Sequence, residues 1–130
     1  MIGCGIVGST EGEVYEKGKS IGLVSGHAYS IQDLLEVTLK DGTKERLVRI
    51  RNPWGDKIVM EWNGRFCDSS KELRDNIEAI NKRIIELNGE DEAELIDPKN
   101  MDDGMFFMTY DDFINRWHKL NICFKFDKIY

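Results

Sequence analysis

The sequence predicts an α+β fold, a mainly antiparallel sheet with one or two helices, in a single domain over residues 1–130. Three patterns carry that expectation. "HAYSIQDLLEVTL" and "KERLVRIRN" flank "KDGT" at residues 40–43, and Asp-Gly is the strongest short signal for a two-residue hairpin turn. Leu73, Ile77, Ile80, Ile84 and Leu87 recur at spacings of three and four, which draws one apolar stripe along a helix. "NICFKFDKIY", at 121–130, closes the chain with the period-two alternation of a strand.

Taken in order, "MIGCGIVGST" enters at once into an apolar, glycine-punctuated strand, as expected of a piece of a longer chain. Residues 8–22 hold Gly8, Gly12, Gly18 and Gly22 among polar residues and read as a loop that orders only against a neighbour. The hairpin from His27 to Asn52 follows. Its second strand alternates imperfectly at Leu47, Arg49 and Ile50, so one face is expected to be only partly buried. Ser69 with Glu72 fits a capping box for a helix over 69–88, and Asn88-Gly89 supplies its stop. An acidic, turn-rich stretch at 89–104 leads to "MFFMTY", a buried strand. Thr109 with Asp112 opens a short helix carrying Phe113 and Trp117 on one side, with His118 near its cation-favouring end.

Composition excludes several functions. A net charge of −6 argues against a nucleic-acid surface, which needs clustered Lys and Arg. No apolar run approaches the ~20 residues of a membrane span, and no basic-then-apolar leader opens the chain. Cys4, Cys67 and Cys123 show no CxxC spacing; an odd count suits thiols in a reducing cytoplasm.

Two stretches point to chemistry. "GLVSGHAYSI" puts His27 at the mouth of a strand, and "RNPWG" follows at 51–55. Pro53 biases Asn52 toward an extended backbone, fixing where its amide points, and Trp54 can cover that amide with an apolar face. An amide that accepts the imidazole N–H holds a histidine in the tautomer and orientation of a general base. His, Asn and Trp in that order make the orienting half of a Cys-His-Asn site. The hairpin arithmetic is less favourable. Pairing about Asp41-Gly42 sets residue 31, not His27, opposite Asn52, and four strand residues span roughly 13 Å. The two side chains are nonetheless expected close together on one exposed face, with Trp54 against them.

"GLVSGHAYSI", "RLVRIRNPWG", "EWNGRFCD" and "DDGMFFMTYDDFINRWHKLNIC" together resemble the second half of the protease core of calpains, calcium-dependent papain-like cysteine proteases. The likeness runs in unchanged order from about residue 2 to 124. It implies a mainly antiparallel subdomain that packs against a helical one, with the cleft between them. By position it makes His27 the catalytic histidine, Asn52 its orienting residue and Trp54 their neighbour. It also implies a calcium site at Glu61, Asp68, Asp103 and the Met101 carbonyl. Two departures weaken that site: the family has a glutamate where Met105 stands, and both the 55–61 linker and the 70–88 segment are longer. The nucleophilic cysteine and the oxyanion-hole glutamine belong to the family's other half, so this chain alone is expected to be inactive. Its partners are then that other half and protein substrates, and no organic cofactor is implied. None of Cys4, Cys67 and Cys123 stands in the Trp-flanked helix start that activates such a thiol. The alternative is a non-catalytic calpain-like regulatory or scaffolding module, discriminated by whether a cysteine followed by Trp lies upstream.

Overall fold

A computed structural model describes residues 2–6, 12–52, 61–101, 103–117 and 119–122. Strands β1 (Ile2–Gly5), β4 (Ala28–Thr38), β5 (Lys44–Arg51), β6 (Met105–Thr109) and β7 (Lys119–Ile122) form one sheet in the order β6-β5-β4-β1-β7. Every pairing in it is antiparallel. A second, two-stranded sheet pairs β2 (Gly12–Glu16) with β3 (Lys19–Ser25). With helices α1 (Lys71–Asp75), α2 (Ile77–Asn88) and α3 (Tyr110–Arg116), the class is α+β, mainly antiparallel, as expected.

The loop expected at 8–22 is corrected by β2 and β3. Lys17 and Gly18 both take positive φ, 52° and 77°, and form the two-residue turn joining the strands. Lysine is a poor signal for that conformation, which is why the turn does not show in the sequence. Ile21 and Leu23 from β3 pack with Cys4, Tyr29, Val48, Ile50 and Met108 on one face of the large sheet. The neighbour that orders this segment is the chain's own sheet.

The opposite face carries the second core. Leu35, Val37, Leu47 and Phe107 meet Leu73, Ile80 and Ile84 from α1 and α2 there. Leu47, Val48, Arg49 and Ile50 are therefore all buried, as in a strand covered on both sides, and the expectation of a half-buried β5 is corrected.

The helix expected over 69–88 is two helices. Ser70, not Ser69, is the N-cap, and its Oγ accepts the Leu73 N–H at 3.2 Å. The break falls at Asn76, whose amide donates to the Glu72 carbonyl and accepts the Lys40 N–H, both at 2.8 Å. That buried side chain substitutes for the helix hydrogen bonds lost at the break and ties the helices to the hairpin turn. Leu87 is exposed and lies off the stripe. The stop at Gly89 and the Thr109 cap hold: Gly89 takes φ 82°, and Thr109 Oγ1 accepts the Asp112 N–H at 3.1 Å. His118 and Cys123 lie outside the described residues, and of the closing strand only Lys119–Ile122 lies within them.

Candidate active site

The hairpin geometry answers the arithmetic. Its connection is Lys40, Asp41 and Gly42, because Leu39 pairs with Thr43 through an N–H···O bond of 2.7 Å. Gly42, at φ 90°, supplies the left-handed residue such a three-residue loop needs. This moves the pairing by one residue relative to an Asp-Gly turn. A bulge between Ile31 and Asp33 moves it by one more, so that Ser30 pairs with Arg51 and Ile31 with Ile50. Continuing that register sets Asn52 opposite Tyr29 instead of residue 31. Each one-residue shift turns a side chain to the other face, and two restore it. Asn52 therefore returns to the His27 side, two strand residues from it rather than four.

Within that reach His27 Nε2 and Asn52 Oδ1 lie 2.9 Å apart. The carboxamide oxygen accepts, so Nε2 carries the ring proton and Nδ1 is the basic nitrogen. Asn52 is further held by its own N–H, which donates to the Gly104 carbonyl at 2.9 Å. Gly26, at φ 66°, turns β3 into β4, and its N–H donates to the Ile6 carbonyl at 2.8 Å, which places His27 at the strand mouth. Both side chains are buried, with relative exposures of 9% for His27 and 2% for Asn52, where an exposed face was expected. Burial keeps water from competing for the bond between them.

One supporting residue was missed. The Tyr29 ring meets the His27 ring edge to face, with centroids 5.0 Å apart, and its hydroxyl accepts the Val24 N–H at 3.1 Å. Its signal was present, since residues 27 and 29 share a strand face by period two. Trp54 lies outside the described residues.

Burial pushes the Cys4 thiol up to about 12, so it is protonated at neutral pH. Cys67 is also buried, with Sγ 3.5 Å from Ser69 Oγ.

The four residues expected at a calcium site lie in one neighbourhood. Asp68, Met101, Asp103 and Met105 line one cleft, and the Glu61 carboxyl bonds to that of Asp68. Burial raises the Asp68 pKa and the Asp103 charge adds to the rise, while the Glu61 bond and the Arg74 and Arg49 guanidiniums oppose it. Asp103 Oδ1 is engaged by the Met105 N–H at 3.0 Å. The buried Arg49 guanidinium shares the cleft and contributes a positive charge of its own. Among the described residues, no three acidic, histidine or cysteine side chains are spaced to hold a metal ion. No helix among them is long and apolar enough to cross a membrane.

Comparison with known proteins agrees with the motif reading. The chain is 38% identical over 101 residues to the calpain-1 catalytic subunit of Gallus gallus, a match covering 78% of this chain and 12% of that protein. It is 36% identical over 123 residues to calpain-9 of Homo sapiens, covering 95% of this chain and 15% of that protein. Calpain clp-1 of Caenorhabditis elegans is 37% identical over 123 residues, again covering 95% of this chain and 14% of that protein. The chain thus spans 12–15% of the length of these relatives. The family model described as calpain family cysteine protease matches residues 1–124, and over that length the chain belongs to the calpain family of cysteine proteases.

Proposed function

We propose that this chain supplies the general base and its orienting amide to a calpain-type cysteine endopeptidase whose thiol nucleophile comes from another segment. The observation that carries the reading is the 2.9 Å contact between His27 Nε2 and Asn52 Oδ1, buried and on one sheet face. With Nε2–H committed to Asn52, Nδ1 takes the proton from the attacking thiol. The thiolate adds to the peptide carbonyl, and the His27 imidazolium returns the proton to the leaving amine as the thioester forms. Water then hydrolyses the thioester, again with His27 as base. Asn52 keeps the ring from rotating during both transfers, and Tyr29 limits its tilt. Buried, reduced Cys4 and Cys67 favour a reducing compartment such as the cytoplasm.

The test joins this chain in frame behind the cysteine-bearing half of a calpain core and follows cleavage of a fluorogenic peptide. The joined protein is expected to turn over, with Cys4→Ser matching it, while the present chain alone stays silent. Turnover by the chain alone, abolished by Cys4→Ser, would overturn the assignment of roles. A joined, folded protein without activity favours the non-catalytic alternative.

Calcium is expected to bind weakly, because Asp68 and Asp103 face a cleft that also holds Arg49, and Met105 brings no hard oxygen. Several millimolar calcium should raise Tm by less than about 4 °C beyond a magnesium control. A larger rise that disappears in Asp103→Ala would show a competent site.

A further inference from the structure

The turn that carries His27 is closed by a side chain. β3 has β2 as its one neighbour in the small sheet, so part of its backbone must find partners outside that sheet. At Val24 the partner is Tyr29, five residues on, whose hydroxyl accepts the buried N–H at 3.1 Å. The bond spans Ser25, Gly26, His27 and Ala28, so His27 lies inside the loop that it closes. β1 holds the middle of the same loop. The Gly26 N–H donates to the Ile6 carbonyl at 2.8 Å, and a Cβ on Gly5 would stand 3.2 Å from the His27 carbonyl oxygen.

Tyr29 is itself held in place. Its ring is 3% exposed and meets the Trp117 ring edge to face, with centroids 4.8 Å apart. Trp117 is fixed in turn by stacking on Phe113 at 5.6 Å and by its indole N–H, which donates to Met108 Sδ at 3.4 Å. A rotation that released Val24 would drive the tyrosine ring into these neighbours.

We infer that the Tyr29 hydroxyl is a positioning group for His27: by closing residues 24–29 it holds the imidazole where Nε2 meets Asn52. Packing alone needs only the ring, and phenylalanine would keep every ring contact. The bond to Val24 needs the oxygen. Without it the Val24 N–H is buried and unpaired, and the turn must open toward water to satisfy it. His27 moves with the turn. Asn52 does not, because it extends β5 and its N–H is held by the Gly104 carbonyl at 2.9 Å. Opening the turn therefore separates the two side chains.

The catalytic meaning rests on the function proposed above, but the test reads geometry in the chain itself, so the two can fail separately. The His27 ring N–H and the Val24 amide N–H are followed by proton–nitrogen NMR of the labelled chain, with His118→Gln used to assign the ring signals. In the wild type both protons are expected to be resolved and slow to exchange, as buried hydrogen-bonded donors. Tyr29→Phe is expected to speed the exchange of both by about tenfold or more. Ile84→Val thins the core on the opposite face of the sheet and controls for a general loss of stability. It should change neither proton by more than about twofold. A folded Tyr29→Phe with wild-type exchange at the ring proton would overturn the inference, as would an equal change in Ile84→Val. Should Tyr29→Phe fail to fold, the wild type decides. With each rate corrected for its intrinsic exchange, the two protons are expected to open together. A ring proton that opens about tenfold more often than the Val24 amide would equally overturn the inference.

Discussion

His27→Ala in the joined enzyme is expected to lower kcat by about 10³-fold, the usual contribution of a positioned general base. KM should stay close to its starting value, because the imidazole acts on the moving proton and not on substrate binding. Asn52→Ala should be milder, with a loss of about 10–100-fold, as is common for a residue that orients another. The ring then keeps its basic nitrogen but loses the acceptor that sets its direction. The order of the two effects is the informative part. An Asn52→Ala loss equal to that of His27→Ala would mean that the amide contacts the reacting atoms. A His27→Ala enzyme within tenfold of wild type would remove the base from His27 altogether.

Gly22→Ala is expected to be the most damaging small substitution for the fold. Gly22 sits in β3 at φ 81°, and a Cβ there would fall 1.8 Å from the Glu61 carbonyl oxygen. That oxygen belongs to backbone, so neither partner can swing aside. The left-handed conformation alone costs a non-glycine residue roughly 1–2 kcal/mol. With the clash added, the loss should reach at least about 3 kcal/mol, which lowers Tm by about 10 °C or more. Gly42→Ala is the comparison, because φ there is 90° but nothing lies within 4 Å of the added carbon. It should lose only the conformational part, about 1–2 kcal/mol. Equal losses at both sites would show that β3 can move off residue 61.

The two cases also mark where sequence reasoning reaches its limit. Hairpins, caps and stripes are local, and the β4–β5 hairpin, the Thr109 cap and the Gly89 stop were legible for that reason. The bulge was not. Tyr29, Ile31, Leu35 and Val37 share one parity, so alternation reads as one continuous face, while the structure packs the first two, Ile31 only partly buried, on one side and the last two on the other. The break at Asn76 was hidden because the stripe of Leu73, Ile80 and Ile84 continues across it; the reason for the break is a contact with Lys40. Arg49 looked like an ordinary strand charge, and its burial depends on Glu94, 45 positions away. His27 and Asn52 could be named from motif chemistry. How they meet could not, since it takes two register shifts that only the assembled sheet displays.

The most direct test of the central claim, that His27 is the base for a thiol, is the pH dependence of alkylation at the nucleophilic cysteine of the joined enzyme. Iodoacetamide reacts with the thiolate, and an imidazolium held by Asn52 stabilises that thiolate well below the ordinary thiol range near about 8.5. The account predicts rapid alkylation at mildly acidic pH, with the profile of His27→Ala moved up to that ordinary range. A His27→Ala profile that overlays the wild type would contradict it.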